Sequence, residues 1–282
     1  MARDGLAGSS ATPKHFEIEA SEMRINTAKE KWARGEVTYG AWLSIPSSFS
    51  AEIMAHQGFD WVCIDMQHGL IDYQVALTML QAIGTTETIP IVRVPWNEFG
   101  IIGKMLDAGA LGVIIPMVNS VEEAKAAVAA CRYFPQGSRS YGPTRVSYYA
   151  GTDYFQGANQ QVACIPMIET KQAVERLDGI LAVPGIDAVY IGPADLSITL
   201  GLPPGMNNGG AFEDARIRIA QKCVEHGVTA GIHANAGLAE KHAAAGYRMI
   251  TISGDAVAIP LQAQADLKIA RGGAPGPGPA YG

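Results

Sequence analysis

The chain has 282 residues, with 21 Lys and Arg against 27 Asp and Glu for a formal net charge of −6, and 48% of its residues are hydrophobic. That balance suits a globular protein with a sizeable core and argues against a nucleic acid or an anionic membrane as partner, since either favours a basic patch. Cys63, Cys131, Cys164 and Cys223 show no C-x-x-C spacing, which argues against a disulfide framework or a thiolate zinc site, and no apolar stretch approaches the roughly 20 residues that span a bilayer.

The amino terminus, "MARDGLAGSSATPKHFEIEA", has no apolar secretory core, and a cytoplasmic protein is expected. Residues 1–22 and 271–282 are rich in Gly, Pro, Ser and Ala and read as disordered extensions around one domain over 23–270. Inside that domain eight short apolar runs follow one another: "YGAWLS" (39–44), "WVCIDM" (61–66), "IPIVRV" (89–94), "LGVIIPM" (111–117), "VACIPMI" (162–168), "DAVYIG" (187–192), "VTAGIH" (228–233) and "RMITIS" (248–253). They are continuous rather than alternating, as in parallel strands covered on both faces. Amphipathic helix patterns lie between them, among them "YQVALTMLQAIG", "EFGIIGKMLDAGA", "SVEEAKAAVAACRYF" and "EDARIRIAQKCVEHG". Eight strand-then-helix units predict a TIM (β/α)8 barrel, with an open doubly wound sheet as the alternative. The first strand is not followed by G-x-G-x-x-G, which weakens a dinucleotide-binding version of that alternative. One connection, 118–161, is long enough to suggest a functional loop.

In such a barrel the active site sits at the carboxyl ends of the strands. The polar residues there are Trp42 and Ser44; Asp65, Gln67 and His68; Arg93; Glu169; Asp195; His233 and Asn235; and Ser253 and Asp255. Glu169 and Asp195 follow consecutive strands. Two carboxylates that close repel unless a proton or cation lies between them, and oxygen donors imply a hard divalent ion such as Mg2+ or Mn2+. Otherwise each carboxylate simply starts a helix. Arg93 suits a carboxylate or phosphate, or else forms a buried pair with Asp65 or Glu169. His68 suits acid–base work, or a structural role. "GPAD", residues 192–195, offers backbone N–H groups to an anion at a helix start.

The segments "DMQHG", "VRVPWNE", "LDAGALGVIIPMV", "IET" and "YIGPADLS" together resemble the HpcH/HpaI family of metal-dependent pyruvate aldolases, over roughly residues 25–270. The resemblance implies a TIM barrel assembled as a homohexamer, a trimer of dimers that exchange their last helix. It implies a divalent metal (Mg2+, Mn2+ or Co2+) on Glu169 and Asp195. Arg93 would hold the keto oxygen of pyruvate, and the turn of Gly192, Pro193, Ala194 and Asp195 its carboxylate. His68 would move protons, oriented by Asp65 or Asp107, while Trp42 and Gln67 line the pocket. Gln67 stands where family members often carry Glu, and Met167-Ile168-Glu169 where many carry Gln-x-Glu. Both departures bear on the natural substrate rather than on the metal pair. Related lyases act on CoA thioesters, but no clear basic site for the CoA phosphates is present.

The reaction implied is reversible cleavage of a 4-hydroxy-2-oxo acid to pyruvate and an aldehyde. The base is His68, or a water on the metal assisted by it. The aldehyde pocket is expected from the 118–161 loop, the 201–211 loop and a neighbouring subunit, with Arg139 and Arg145 either meeting a second carboxylate or ordering the loop. Three alternatives stand beside it: a Schiff-base aldolase using Lys171, a non-catalytic keto-acid-binding barrel, and oxaloacetate decarboxylation.

Overall fold

The apolar runs become strands. In the computed structural model, which describes residues 23–273, they are β1 (Thr38–Leu43), β2 (Trp61–Asp65), β3 (Ile89–Arg93), β4 (Gly112–Ile115), β5 (Ala163–Pro166), β6 (Ala188–Ile191), β7 (Thr229–His233) and β8 (Met249–Gly254). Every residue of β2 to β6 is buried, which is why these strands read as unbroken apolar runs. All neighbours pair in parallel, in the order β5-β4-β3-β2-β1-β8-β7-β6. The remaining gap is bridged between Met167 and Tyr190, where the Ile168 N–H donates to the Tyr190 carbonyl at 2.9 Å. The sheet therefore closes into a (β/α)8 barrel, and the doubly wound alternative falls.

Around it run α1 (Thr27–Ala33), α2 (Ser48–Ala55), α3 (Tyr73–Ile83), α4 (Phe99–Ala108), α5 (Val121–Cys131), α6 (Val146–Ala150), α7 (Tyr154–Gln161), α8 (Lys171–Glu175), α9 (Leu177–Leu181), α10 (Pro193–Thr199), α11 (Ala211–His226), α12 (Ala239–Ala244) and α13 (Asp255–Ala270). Side chains of Ser47, Asp72, Ser120 and Thr170 accept N–H groups from the first turns of α2, α3, α5 and α8, fixing where those helices begin. The four cysteines are free and buried. Among the described residues no helix is long and apolar enough to cross a membrane. The extension expected at 1–22 and residues 274–282 of the one expected at 271–282 lie outside the described residues; of the latter, Arg271 caps α13.

The long connection differs from expectation. α5 carries the chain back from the mouth before the irregular stretch 132–145 begins, and α6 and α7 follow it on the way to β5. The Arg132 guanidinium donates to the carbonyls of Val162 and Gly185, beside the first residues of β5 and β6. Most of the long connection thus lies at the amino-terminal end of its own barrel, away from the expected pocket.

Candidate active site

β2 and β3 end side by side, with Asp65 in register with Arg93. Arg93 Nε and Nη2 donate to the two oxygens of Asp65 at 2.8 and 2.6 Å. Trp42 Nε1 donates to Asp65 Oδ2 at 3.0 Å, and the Gln67 and His68 backbone N–H groups reach Oδ1 at 3.0 and 3.2 Å. Burial alone would raise the Asp65 carboxyl. The hydrogen bonds and charge of Arg93, with Trp42 and the His68 N–H, more than reverse this and hold it below its ordinary range. Burial likewise pulls the Arg93 guanidinium down, and Asp65 lifts it above its ordinary value. Both are charged, and the guanidinium is held flat and bidentate.

Asp65 therefore orients Arg93 and the 67–68 turn, not the imidazole of His68. That imidazole is exposed on the rim, and its residue bonds Asp65 only through the main chain. Gln67 Oε1 beside it is buried without a hydrogen-bond partner among the described residues.

Glu169 follows β5 and is 2% exposed, whereas Asp195 stands exposed in the first turn of α10. The Met117 N–H donates to Glu169 Oε1 at 2.8 Å, and Met117 itself has φ 56°, a strained setting for a non-glycine residue. Oε2 leans over Gly192, where an added Cβ would lie 2.4 Å from it, so a side chain there would push the Glu169 carboxylate out of place. Burial pushes the Glu169 carboxyl up to about 7; Asp195 adds to the rise, while the Met117 N–H and Arg93 oppose it. Among the described residues no group of three or more His, Cys, Asp or Glu could hold a metal. The pair nonetheless fits a hard divalent cation. A buried carboxylate with raised proton affinity and a second carboxylate beside it gain from a cation between them, and water and substrate oxygens would complete the shell. At the start of α10 Gly192 gives no side-chain cap and Pro193 has no N–H, which leaves the N–H groups of Ala194 and Asp195 for an acceptor from outside the helix.

The floor of the mouth is aromatic. Trp42 stacks on Tyr190 with centroids 5.6 Å apart, meets the His233 ring edge-on at 4.9 Å, and carries the Arg93 guanidinium 4.9 Å from its own centroid. Tyr190 Oη hydrogen-bonds Thr251 Oγ1 and lies 3.4 Å from His233 Nδ1. Burial and the charge of Arg93 push the His233 imidazole down to about 4, against Asp65. Tyr190, Thr251 and Met117 went unnoticed in the sequence because each sits inside or just past an apolar run. One signal was available: Gly231 in β7 gives up the space that the Tyr190 ring takes, since a Cβ there would lie 2.8 Å from Tyr190 Cδ2.

Other expected residues are elsewhere. Asp107 lies in the last turn of α4, near the amino-terminal end of β4, and pairs with Arg139 at 2.6 Å; within one chain it does not reach His68. Arg139 is buried, also donating to Tyr154 Oη at 2.8 Å, and Arg145 donates to the carbonyls of Ala108 and Leu80 at 2.5 and 3.2 Å. Within the chain both order the 132–145 stretch. Asp255, with its carboxylate taking the N–H groups of Ser44 and Ile45 and the Ser50 hydroxyl, ties α13 to the β1–α2 turn. The Lys171 amine is exposed and 3.9 Å from Glu175, outside the barrel mouth, which removes the setting a Schiff base needs.

A family model described as HpcH/HpaI aldolase/citrate lyase matches residues 38–259. The chain is 36% identical over 235 residues to a Roseobacter denitrificans protein named hydroxypyruvate/pyruvate aldolase, covering 82% of this chain and 91% of that one. It is 37% identical over 246 residues to an Escherichia coli protein named 4-hydroxy-2-oxo-heptane-1,7-dioate aldolase, with 85% and 93% covered. A crystal structure of an HpcH/HpaI aldolase/citrate lyase family protein from Burkholderia cenocepacia superposes with a TM-score of 0.82 at 34% identity, covering 88% of this chain and 100% of that one.

Proposed function

The chain belongs to the HpcH/HpaI aldolase/citrate lyase family, and from that premise we propose that it catalyses reversible aldol cleavage of a 4-hydroxy-2-oxo acid to pyruvate and an aldehyde, in the cytoplasm. The observation that carries this reading is a fixed cation, Arg93 on its Asp65 clamp, in the same mouth as a pair of carboxylates fit for a divalent ion. The open N–H groups of Ala194 and Asp195 receive the substrate carboxylate. Arg93 holds the 2-keto oxygen and, already oriented, stabilises the negative charge that grows there as the C3–C4 bond breaks. His68, with its imidazole free on the rim, takes the proton of the 4-hydroxyl, and C3 is reprotonated to give pyruvate. A divalent cation (Mg2+, Mn2+ or Co2+) on Glu169 and Asp195 supplies, when bound, Lewis-acid stabilisation of the same oxygen. Trp42 and Gln67 line the pocket.

The assembly is a homo-oligomer, which the exposure of α13 supports: Val257, Ile259, Leu261 and Leu267 are 57%, 58%, 61% and 52% exposed on a helix that follows β8. An apolar helix left open in one chain calls for a second copy to cover it.

Pyruvate release from a panel of 4-hydroxy-2-oxo acids is the decisive assay. It should vanish with EDTA and return with Mg2+, Mn2+ or Co2+. Release indifferent to EDTA would remove the Glu169/Asp195 cation from the reaction. Pyruvate binding without any turnover would instead favour a keto-acid-binding barrel.

A further inference from the structure

The turn between β4 and α5 is strained. β4 ends at Ile115, and two residues later Met117 has φ 56°, a left-handed setting that is costly for a non-glycine residue and persists only where its surroundings hold it. Met117 is held from both of its main-chain polar groups. Its N–H donates to Glu169 Oε1 at 2.8 Å, and its carbonyl accepts from Asn119 Nδ2 at 2.9 Å. Asn119 also reaches the other flank of the glutamate, because its Oδ1 accepts the hydroxyl of Thr170, the residue that follows Glu169. The reaction above gives Asn119 no part. We propose that Asn119 is a positioning residue: it locks Met117 in its left-handed setting and so holds Glu169 ready to bind a divalent cation. This rests on the Glu169/Asp195 cation of the aldolase reading and is independent of which keto acid is cleaved.

The bonding pattern leaves the Asn119 amide one orientation. The Met117 carbonyl only accepts, so the amide nitrogen must face it. The Thr170 hydroxyl already accepts the Ala173 N–H at 3.0 Å at the start of α8, which leaves its proton for the amide oxygen. Asn119 is anchored in turn through its main chain, whose N–H donates to the Glu123 carboxylate at 2.5 Å in the first turn of α5. One side chain thus ties the loop after β4 to the loop after β5, at the residue that bonds Glu169 and at the residue next to it.

The consequence for a cation lies at the other carboxylate oxygen. With Oε1 fixed on the Met117 N–H, Oε2 is turned toward Gly192 at the start of α10, the helix that carries Asp195. Without the Asn119 amide, Met117 gains by returning to the right-handed region, which swings its N–H off Oε1. The Glu169 carboxylate then keeps no hydrogen-bond partner among the described residues and must be ordered anew by each cation. Glycine enters the left-handed region without steric cost, so it makes the Asn119 lock dispensable.

Mn2+ binding to the full chain without substrate, followed by electron paramagnetic resonance, tests the role directly. Asn119→Ala and Asn119→Leu should each weaken it by roughly 10-fold or more, the usual effect of removing a group that orients a metal ligand. Neither variant removes the main-chain bond to Glu123, and circular dichroism should show both folded. In the M117G background the same substitutions should weaken binding by about threefold or less. E169Q marks the site and should abolish binding. Unchanged affinity in N119A and N119L, or an equal loss with and without M117G, would overturn the role of Asn119 and leave the aldolase reading standing. Binding that survives E169Q would overturn it as well. The expected pattern of Mn2+ binding without pyruvate release from any 4-hydroxy-2-oxo acid would support the role of Asn119 and overturn the aldolase reading.

Discussion

Arg93 is 9% exposed and its charge is matched within the chain by Asp65. Lysine at this position keeps the charge but not the planar fork that grips two carboxylate oxygens. R93K should therefore lower kcat by about 10²-fold or more with a smaller change in KM, because the contact strengthens only as charge develops on the keto oxygen. Unchanged turnover in steady-state assays would move the oxyanion role elsewhere. A second residue-level consequence concerns acid stability. His242 in α12 is fully buried with both ring nitrogens unpartnered among the described residues, facing Arg216 and Glu213 of α11, its own neighbour Lys241, and the Tyr247 ring at 5.7 Å. Burial, Arg216 and Lys241 push its imidazole down to about 4, with Glu213 opposing. A depressed histidine stays neutral in the folded state while the unfolded chain takes up a proton below about 6.5, so its contribution is intact above that pH and is lost as pH falls toward 4. At pH 5 the loss is about 2 kcal/mol. Urea unfolding at pH 8 and pH 5 should show that loss in the wild type and a smaller one in H242L. Equal losses would place the acid sensitivity in other groups. At this scale Glu169, Asp195 and Arg93 were legible because a charge at the end of an apolar run is conspicuous. Tyr190 and Thr251 were not, since one sequence does not tell which face of a strand looks into the barrel.

All eight strands were legible, because a strand covered on both faces leaves an unbroken apolar run and helix caps mark what lies between. The course of the 132–145 stretch was not, since it depends on partners far away in sequence. Arg139 is the main anchor: its guanidinium lies between the Asp107 carboxylate and Tyr154 Oη, and 4.5 Å from the Tyr133 ring centroid. Burial lifts the Asp107 carboxyl and Arg139 opposes the rise, so removing the arginine leaves a partly buried acid alone. R139A should cost about 3 kcal/mol in urea unfolding and open the segment around Phe134 to Tyr148 to limited proteolysis. Native-like stability with unchanged protease resistance would show that the aromatic packing of Tyr133, Tyr141 and Phe155 suffices to hold the stretch.

In the whole molecule, two features of one chain are unfinished. α13 leaves apolar side chains open to solvent, and the mouth lacks the acidic partner expected beside His68. Asp107 pairs with Arg139 toward the opposite end of its own barrel, so it could serve His68 only from another copy, and the homo-oligomer proposed above to cover α13 is where such a copy would be sought. The two expectations can be tested together. I259D/L261D should dissociate the protein in light scattering and lower turnover with it, while leaving the barrel folded by circular dichroism. His68→Ala and Asp107→Asn should each be poorly active alone. Refolded as a mixture, they should regain activity, because some mouths then combine the unaltered His68 of one copy with the unaltered Asp107 of another. At equal ratio and random assembly that is one mouth in about four. Mixtures no more active than the two variants measured separately would confine Asp107 to its bond with Arg139 and leave His68 working unaided on the rim.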